Sequence, residues 1–136
     1  MVKIIGGGKG SGKTKRMIRM ANEVAVDPHG SLFFIDNDNR NIFELNRNIR
    51  FINKDEFKIN TPERLYGFLC GILAGDYDTE KIYIDGIDYI GNVENTVLNE
   101  FLEKLNKLAL DNEAEFVLCF TTEEGQLSSF PQDRIL

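Results

Sequence analysis

Gly7-Gly8-Lys9-Gly10-Ser11-Gly12-Lys13-Thr14 is the stretch that decides how this chain is read. It fits the pattern G-x-x-x-x-G-K-[ST] at every position. Glycines let a backbone wrap closely, so that successive amides point inward at an oxyanion. A helix starting near Lys13 adds the positive end of its dipole. In a loop of this kind the lysine, Lys13, reaches the β- and γ-phosphates, and the hydroxyl, here Thr14, coordinates magnesium. The expected ligand is therefore a nucleoside triphosphate with Mg2+.

The flanks of the loop support that reading. Val2-Lys3-Ile4-Ile5 is a short β-like run directly before it. After it, Met17, Met20, Ala21 and Val24 recur at helical spacing, and Pro28 and Gly30 close the helix. Strand, glycine loop and helix then follow one another in the order a phosphate site needs.

Farther out, strands and helices alternate. Leu32-Phe33-Phe34-Ile35 and Phe116-Val117-Leu118-Cys119-Phe120 are continuous apolar runs of strand length. Such runs point to burial on both faces, as in a parallel sheet. Lys81-Ile82-Tyr83-Ile84-Asp85 is a further strand, and Ile49-Arg50-Phe51-Ile52 a short edge strand. Asn41 to Leu45 reads as a short helix. Thr61-Pro62 reads as an N-cap with proline at the first helical position. In the helix that follows, Leu65, Phe68, Leu69, Ile72 and Leu73 form the buried stripe. Gly67, Cys70 and Gly71 are small enough to let it approach the sheet. Asn92 is expected to cap a long helix with Val97, Leu98, Phe101, Leu102, Leu105 and Leu108 inward. No linker, repeat or low-complexity tract interrupts the pattern, so residues 1–136 are read as one α/β domain with roughly five mainly parallel strands. The first strand is expected at an exposed sheet edge, which would invite a homodimer or a protein partner.

Asp85 ends its apolar strand as a magnesium-binding acid would. Together with the glycine loop it resembles the Walker B partner of a Walker A motif, and the chain is identified as a member of the P-loop NTPases. It is similar to short bacterial P-loop proteins labelled ATP-binding or pilus-retraction-like. The resemblance implies a three-layer fold, in the additional-strand (RecA-like) branch, that binds ATP with Mg2+. It implies Gly7, Gly8, Lys9, Gly10, Ser11, Gly12, Lys13 and Thr14 as the phosphate cradle, and Thr14 with Asp85 at the metal. Asp36 is the alternative acid, since it also ends an apolar strand.

In many such ATPases a glutamate directly follows the Walker B aspartate and positions the attacking water. Gly86 stands there in this chain. Asp88 is the candidate substitute, ahead of Asp36 and Asp38. Thr121, or Thr122 beside it, ends the last strand where a polar sensor would contact the γ-phosphate. Slow hydrolysis follows, with the charge-stabilising arginine supplied by a partner or by Arg40 or Arg134. The rival readings are a nucleotide-dependent switch or adaptor without turnover, and a small-molecule kinase. GTPase motifs fit poorly: Asn53-Lys54-Asp55-Glu56 has glutamate for aspartate and precedes the Asp85 strand.

Composition sets the remaining limits. The chain has 136 residues, a formal net charge of −6 and 42% hydrophobic residues, ordinary for a globular domain. Its first twenty residues carry Lys3, Lys9, Lys13, Lys15, Arg16 and Arg19 and no acid. The remainder is strongly acidic. That excludes a general nucleic-acid coat and leaves one compact anionic ligand at the basic end. Cys70 and Cys119 read as buried thiols, and with His29 as the only histidine a zinc site is not expected. No run approaches the roughly 20 apolar residues of a membrane span, and no signal peptide is evident, so the cytoplasm is the expected compartment.

Overall fold

A computed structural model describes residues 1–136. Five strands and three helices follow in the order β1 (Val2–Ile5), α1 (Lys13–Ala25), β2 (Ser31–Asp36), β3 (Ile49–Asn53), α2 (Pro62–Gly75), β4 (Thr79–Ile84), α3 (Asn95–Asp111) and β5 (Glu115–Cys119). The strands form one sheet, ordered β1-β5-β4-β2-β3, with every pair parallel. A parallel sheet aligns the C-terminal ends of its strands on one edge, where ligands of open α/β sheets bind.

Burial follows from the apolar runs. In β2 every residue from Leu32 to Asp36 is buried, because both faces are covered. On one face Met17, Ile18, Ala21 and Ala25 of α1 pack with Ile5, Leu32, Phe34, Tyr83 and Val117. On the other, Leu65 and Leu69 of α2 and Leu98, Leu102 and Leu105 of α3 pack with Ile4, Ile35, Ile84 and Leu118. Helices on both faces of the sheet are compatible with a three-layer α/β fold. No helix is long and apolar enough to cross a membrane.

Several elements depart from the sequence reading. Ile18 and Ala25 join Met17 and Ala21 as the buried residues of α1, while Met20 and Val24 are half-buried and pack against the same core. The expected helix around Asn41–Leu45 is a single 3-10 turn, Ile42–Glu44. Asn92 does not cap α3: it ends a separate 3-10 turn, Asp88–Asn92, and the helix starts at Asn95 behind Glu94. Val97 is consequently half exposed, while Asn106 takes an inward position. The Asn106 side-chain oxygen accepts a hydrogen bond from the Val2 amide at 2.8 Å, which satisfies an edge-strand donor and explains a polar residue in that stripe. The Thr61 cap of α2 is present, its hydroxyl accepting from the Arg64 amide at 3.2 Å. Gly67 and Gly71, however, do not bring α2 onto the sheet. A Cβ at either would meet nothing within 4 Å. They line an open groove beside β3 instead. Cys70 is only half-buried, whereas Cys119 is buried, and both are free thiols.

β1 does lie at an end of the sheet. Its outer side is partly occupied by the chain itself: Ile135 bridges Ile4 in parallel, and the Leu136 amide donates to the Ile4 carbonyl at 2.8 Å. β3 forms the other sheet edge.

Candidate functional site

The loop between β1 and α1 lies at the C-terminal edge of the sheet. Its shape depends on three glycines with left-handed backbone angles: Gly7 at φ 135°, Gly10 at 79° and Gly12 at 83°. These are conformations that L side chains rarely adopt. Gly12 occupies the N-cap of α1 with no side-chain cap, and no acid lies in the first helical turn. The free amides and dipole of the helix start therefore remain available to an anion.

Two contacts hold the loop to the sheet. The Gly7 amide donates to Thr122 Oγ1 at 2.9 Å, and the Thr122 amide donates back to the Gly7 carbonyl at 3.1 Å. Within the loop, the Ser11 amide reaches the Gly8 carbonyl at 3.3 Å. Lys13 Nζ folds back onto the same carbonyl at 2.7 Å. That bond joins a neutral acceptor to an ammonium, so an incoming oxyanion, a stronger acceptor, would displace it. Gly8, Lys9, Gly10, Ser11 and Gly12 are exposed, which leaves the mouth of the loop open.

Beneath the loop the two expected metal ligands meet. Thr14 Oγ1 donates to Asp85 Oδ2 at 2.6 Å across 71 residues of sequence. The other Asp85 oxygen accepts from the Gly86 amide at 2.8 Å. The Asp85 amide itself donates to the Ile35 carbonyl of β2 at 2.8 Å, so neighbouring strands fix the carboxylate position. No cluster of three or more histidine, cysteine or acidic side chains forms a self-sufficient metal site. A hydroxyl and a carboxylate nevertheless suit magnesium, which keeps waters and takes the rest of its oxygens from substrate phosphates.

Asp36 stands at the end of β2, 5% exposed. Oδ1 accepts from the Asn37 amide at 2.7 Å and Oδ2 from Asn41 Nδ2 at 3.5 Å. Burial pushes its carboxyl up to about 6; the Asn37 bond opposes this, and the charges of Asp85 and Asp38 add to it. Cys119, under the loop at the end of β5, is pushed up to about 12 by burial and by the nearby Asp85 carboxylate. Its thiol is thus a neutral packing group rather than a nucleophile.

The remaining expected residues are engaged by partners within the chain. Asp88 is exposed, and its Oδ1 accepts from the Thr121 amide at 2.8 Å, tying the 3-10 turn after β4 to the end of β5. Arg40 is bound to Asp38 at 2.9 Å and Arg134 to Glu103 at 3.4 Å. Asn37 joins the site without any sequence motif to mark it. Gly86 has φ 70°, and a Cβ there would lie 2.8 Å from Asn37 Cγ. The Asn37 side chain therefore covers the position where a glutamate after Asp85 would begin. Polar residues clustered at the end of β2 were the available signal; their contact with Gly86 was not visible in the sequence.

No family model matches the chain, and no curated protein matches it.

Proposed function

We propose that this protein binds MgATP as a P-loop NTPase of the additional-strand, RecA-like branch and hydrolyses it slowly in concert with a partner. The observation that carries the proposal is the 2.6 Å hydrogen bond between Thr14 and Asp85 beneath a glycine loop that ends at a helix N-terminus. Strand order supports the branch: β5 lies between β1, which leads into the loop, and β4, which leads to Asp85.

In this reading the loop amides and Lys13 hold the β- and γ-phosphates. Magnesium held at Thr14 and Asp85 would neutralise charge on the phosphate oxygens. Hydrolysis is in-line attack by water on the γ-phosphorus, which breaks its bond to the β–γ bridging oxygen, so that ADP leaves and the water's proton passes to phosphate or solvent. The chain contributes positioning and charge, because phosphoryl transfer leaves little covalent work for the protein. Asp36, buried on the neighbouring strand end, and Asp88 are the acids available to orient water. Arg40 and Arg134 are engaged by acids in the chain, so an arginine for the transition state is expected from a partner.

Gly86 and its contact with Asn37 favour the second reading, a nucleotide switch with little turnover. Single-turnover incubation with γ-labelled ATP separates the two: release of free phosphate supports the ATPase, and retained ATP on the protein supports the switch. Transfer of the label to a small molecule would instead support a kinase. Calorimetry of Lys13→Ala tests the common premise. Loss of MgATP binding is expected, and unchanged affinity would sink the site assignment.

A further inference from the structure

The phosphate loop and the metal pair account for one end of a nucleotide and leave the base without a seat. A cavity of about 300 Å³ begins where the loop begins, lined by Gly6 and Thr122. Thr122 is the residue that clamps the Gly7 amide. Glu123, Leu127, Ser128 and Leu136 are among the other residues that line it. The volume is at the lower end of ligand pockets, roughly 300–1,000 Å³, and suits one heterocycle rather than a whole nucleotide.

Direction favours the base. A nucleoside triphosphate is linear, with metal at the phosphate end and base at the other. Asp85 follows β4, on the interior side of β1 in the sheet order, whereas Ile135 and Leu136 run along the outer side of β1. Metal, loop and cavity therefore fall in the same sequence as metal, phosphates and base.

Charge divides the two halves in the same way. The loop offers Lys13 and unpaired amides, which suit phosphate. The cavity offers the Glu123 carboxylate, which repels phosphate and accepts hydrogen bonds from an exocyclic amine. Leu127 and Leu136 provide apolar surface for a ring face. We propose that an amine-bearing purine base occupies this cavity between the β1 edge and the segment after β5. The proposal rests on the MgATP reading above and adds the source of nucleotide preference.

The test compares magnesium tripolyphosphate, which has no base, with MgATP by calorimetry on the full chain. The wild type should bind MgATP about tenfold or more tightly than magnesium tripolyphosphate. Ser128 is exposed at the cavity wall, so Ser128→Trp fills the space without entering the core. That variant should lose the preference for MgATP and keep its tripolyphosphate affinity, which also reports that it has folded. A wild type that binds both ligands equally, or a variant that keeps the preference, overturns the base cavity and leaves the phosphate site standing. A wild type that binds neither overturns both. Photolabelling the unaltered chain with 8-azido-ATP gives an independent readout. Labelled peptides should fall within residues 122–136, and label confined to other segments overturns the proposal.

Discussion

At the residue scale, Gly86 turns one backbone angle into a constraint on chemistry. Its φ of 70° lets its own amide bind Asp85 Oδ1. A side chain there meets both an unfavourable backbone region and Asn37. Gly86→Ala should therefore lower stability by about 1–2 kcal/mol. Asn37→Gly in the same background should recover the steric part, as urea midpoints of the single and double variants would show. Asp36 has an opposite lesson. Its carboxyl titrates near 6 in the fold against 3.8 ordinarily, so the folded chain holds the proton more tightly than the unfolded one. This group's contribution is complete below pH 3.8 and is lost as pH rises through about 6. Asp36→Asn should accordingly raise the unfolding free energy at pH 7 by about 1–3 kcal/mol and much less at pH 4. Equal gains at both values would contradict the shift. The motif residues Lys13, Thr14 and Asp85 were legible from sequence because the spacing of the loop and the acid ending an apolar run are local patterns. The contact between Asn37 and Gly86 was not, since the adjacent strands β2 and β4 bring together residues 49 positions apart.

At the scale of elements, apolar periodicity located all five strands and three helices, but it did not fix their ends or every inward face. The start of α3 moved because Asn92 was drawn into the turn after Asp88, where the fold ties Asp88 to Thr121. Asn106 reads as a polar break in an apolar stripe until its partner, the Val2 amide, is seen. Replacing it by leucine removes the acceptor and leaves that buried donor unsatisfied. Asn106→Leu should cost about 1–3 kcal/mol in chemical denaturation. Hydrogen exchange at Val2 should quicken at the same time. A neutral outcome would mean that the β1 amide finds another partner. The glycines of α2 show the opposite error. Small residues on a helix suggest close packing, yet Gly67 and Gly71 face open space because Leu65, Leu69 and Leu73 carry the contact with the sheet.

At the scale of the whole molecule, the charge split has a spatial counterpart. Lys13 stands at the loop mouth, while Asp36 is the last residue of β2 and Asp38, Asp85 and Asp88 follow the ends of β2 and β4. A polyphosphate with magnesium would bridge these opposite fields. The ligand should then stabilise the entire domain through linkage. MgATP at about one hundred times its dissociation constant should add about 2.7 kcal/mol to unfolding, read as a raised melting temperature. Lys13→Ala should show no such rise. Nucleotide without magnesium should show a smaller one, because the acids would face the phosphates unscreened. A rise that is independent of both Lys13 and magnesium would point to binding elsewhere.

The sequence by itself determined the alternation of strands and helices, the parallel character of the sheet and the loop with its lysine, threonine and distant aspartate. These are written in nearest-neighbour patterns: periodicity, continuous apolar runs and glycine spacing. Only the tertiary structure decided the order β1-β5-β4-β2-β3, the meeting of Thr14 with Asp85, the Thr122 clamp and the cavity beside β1. Each of those joins residues far apart in the chain. Their positions depend on how the helices pack on the two faces of the sheet, and no local pattern of residues carries that information.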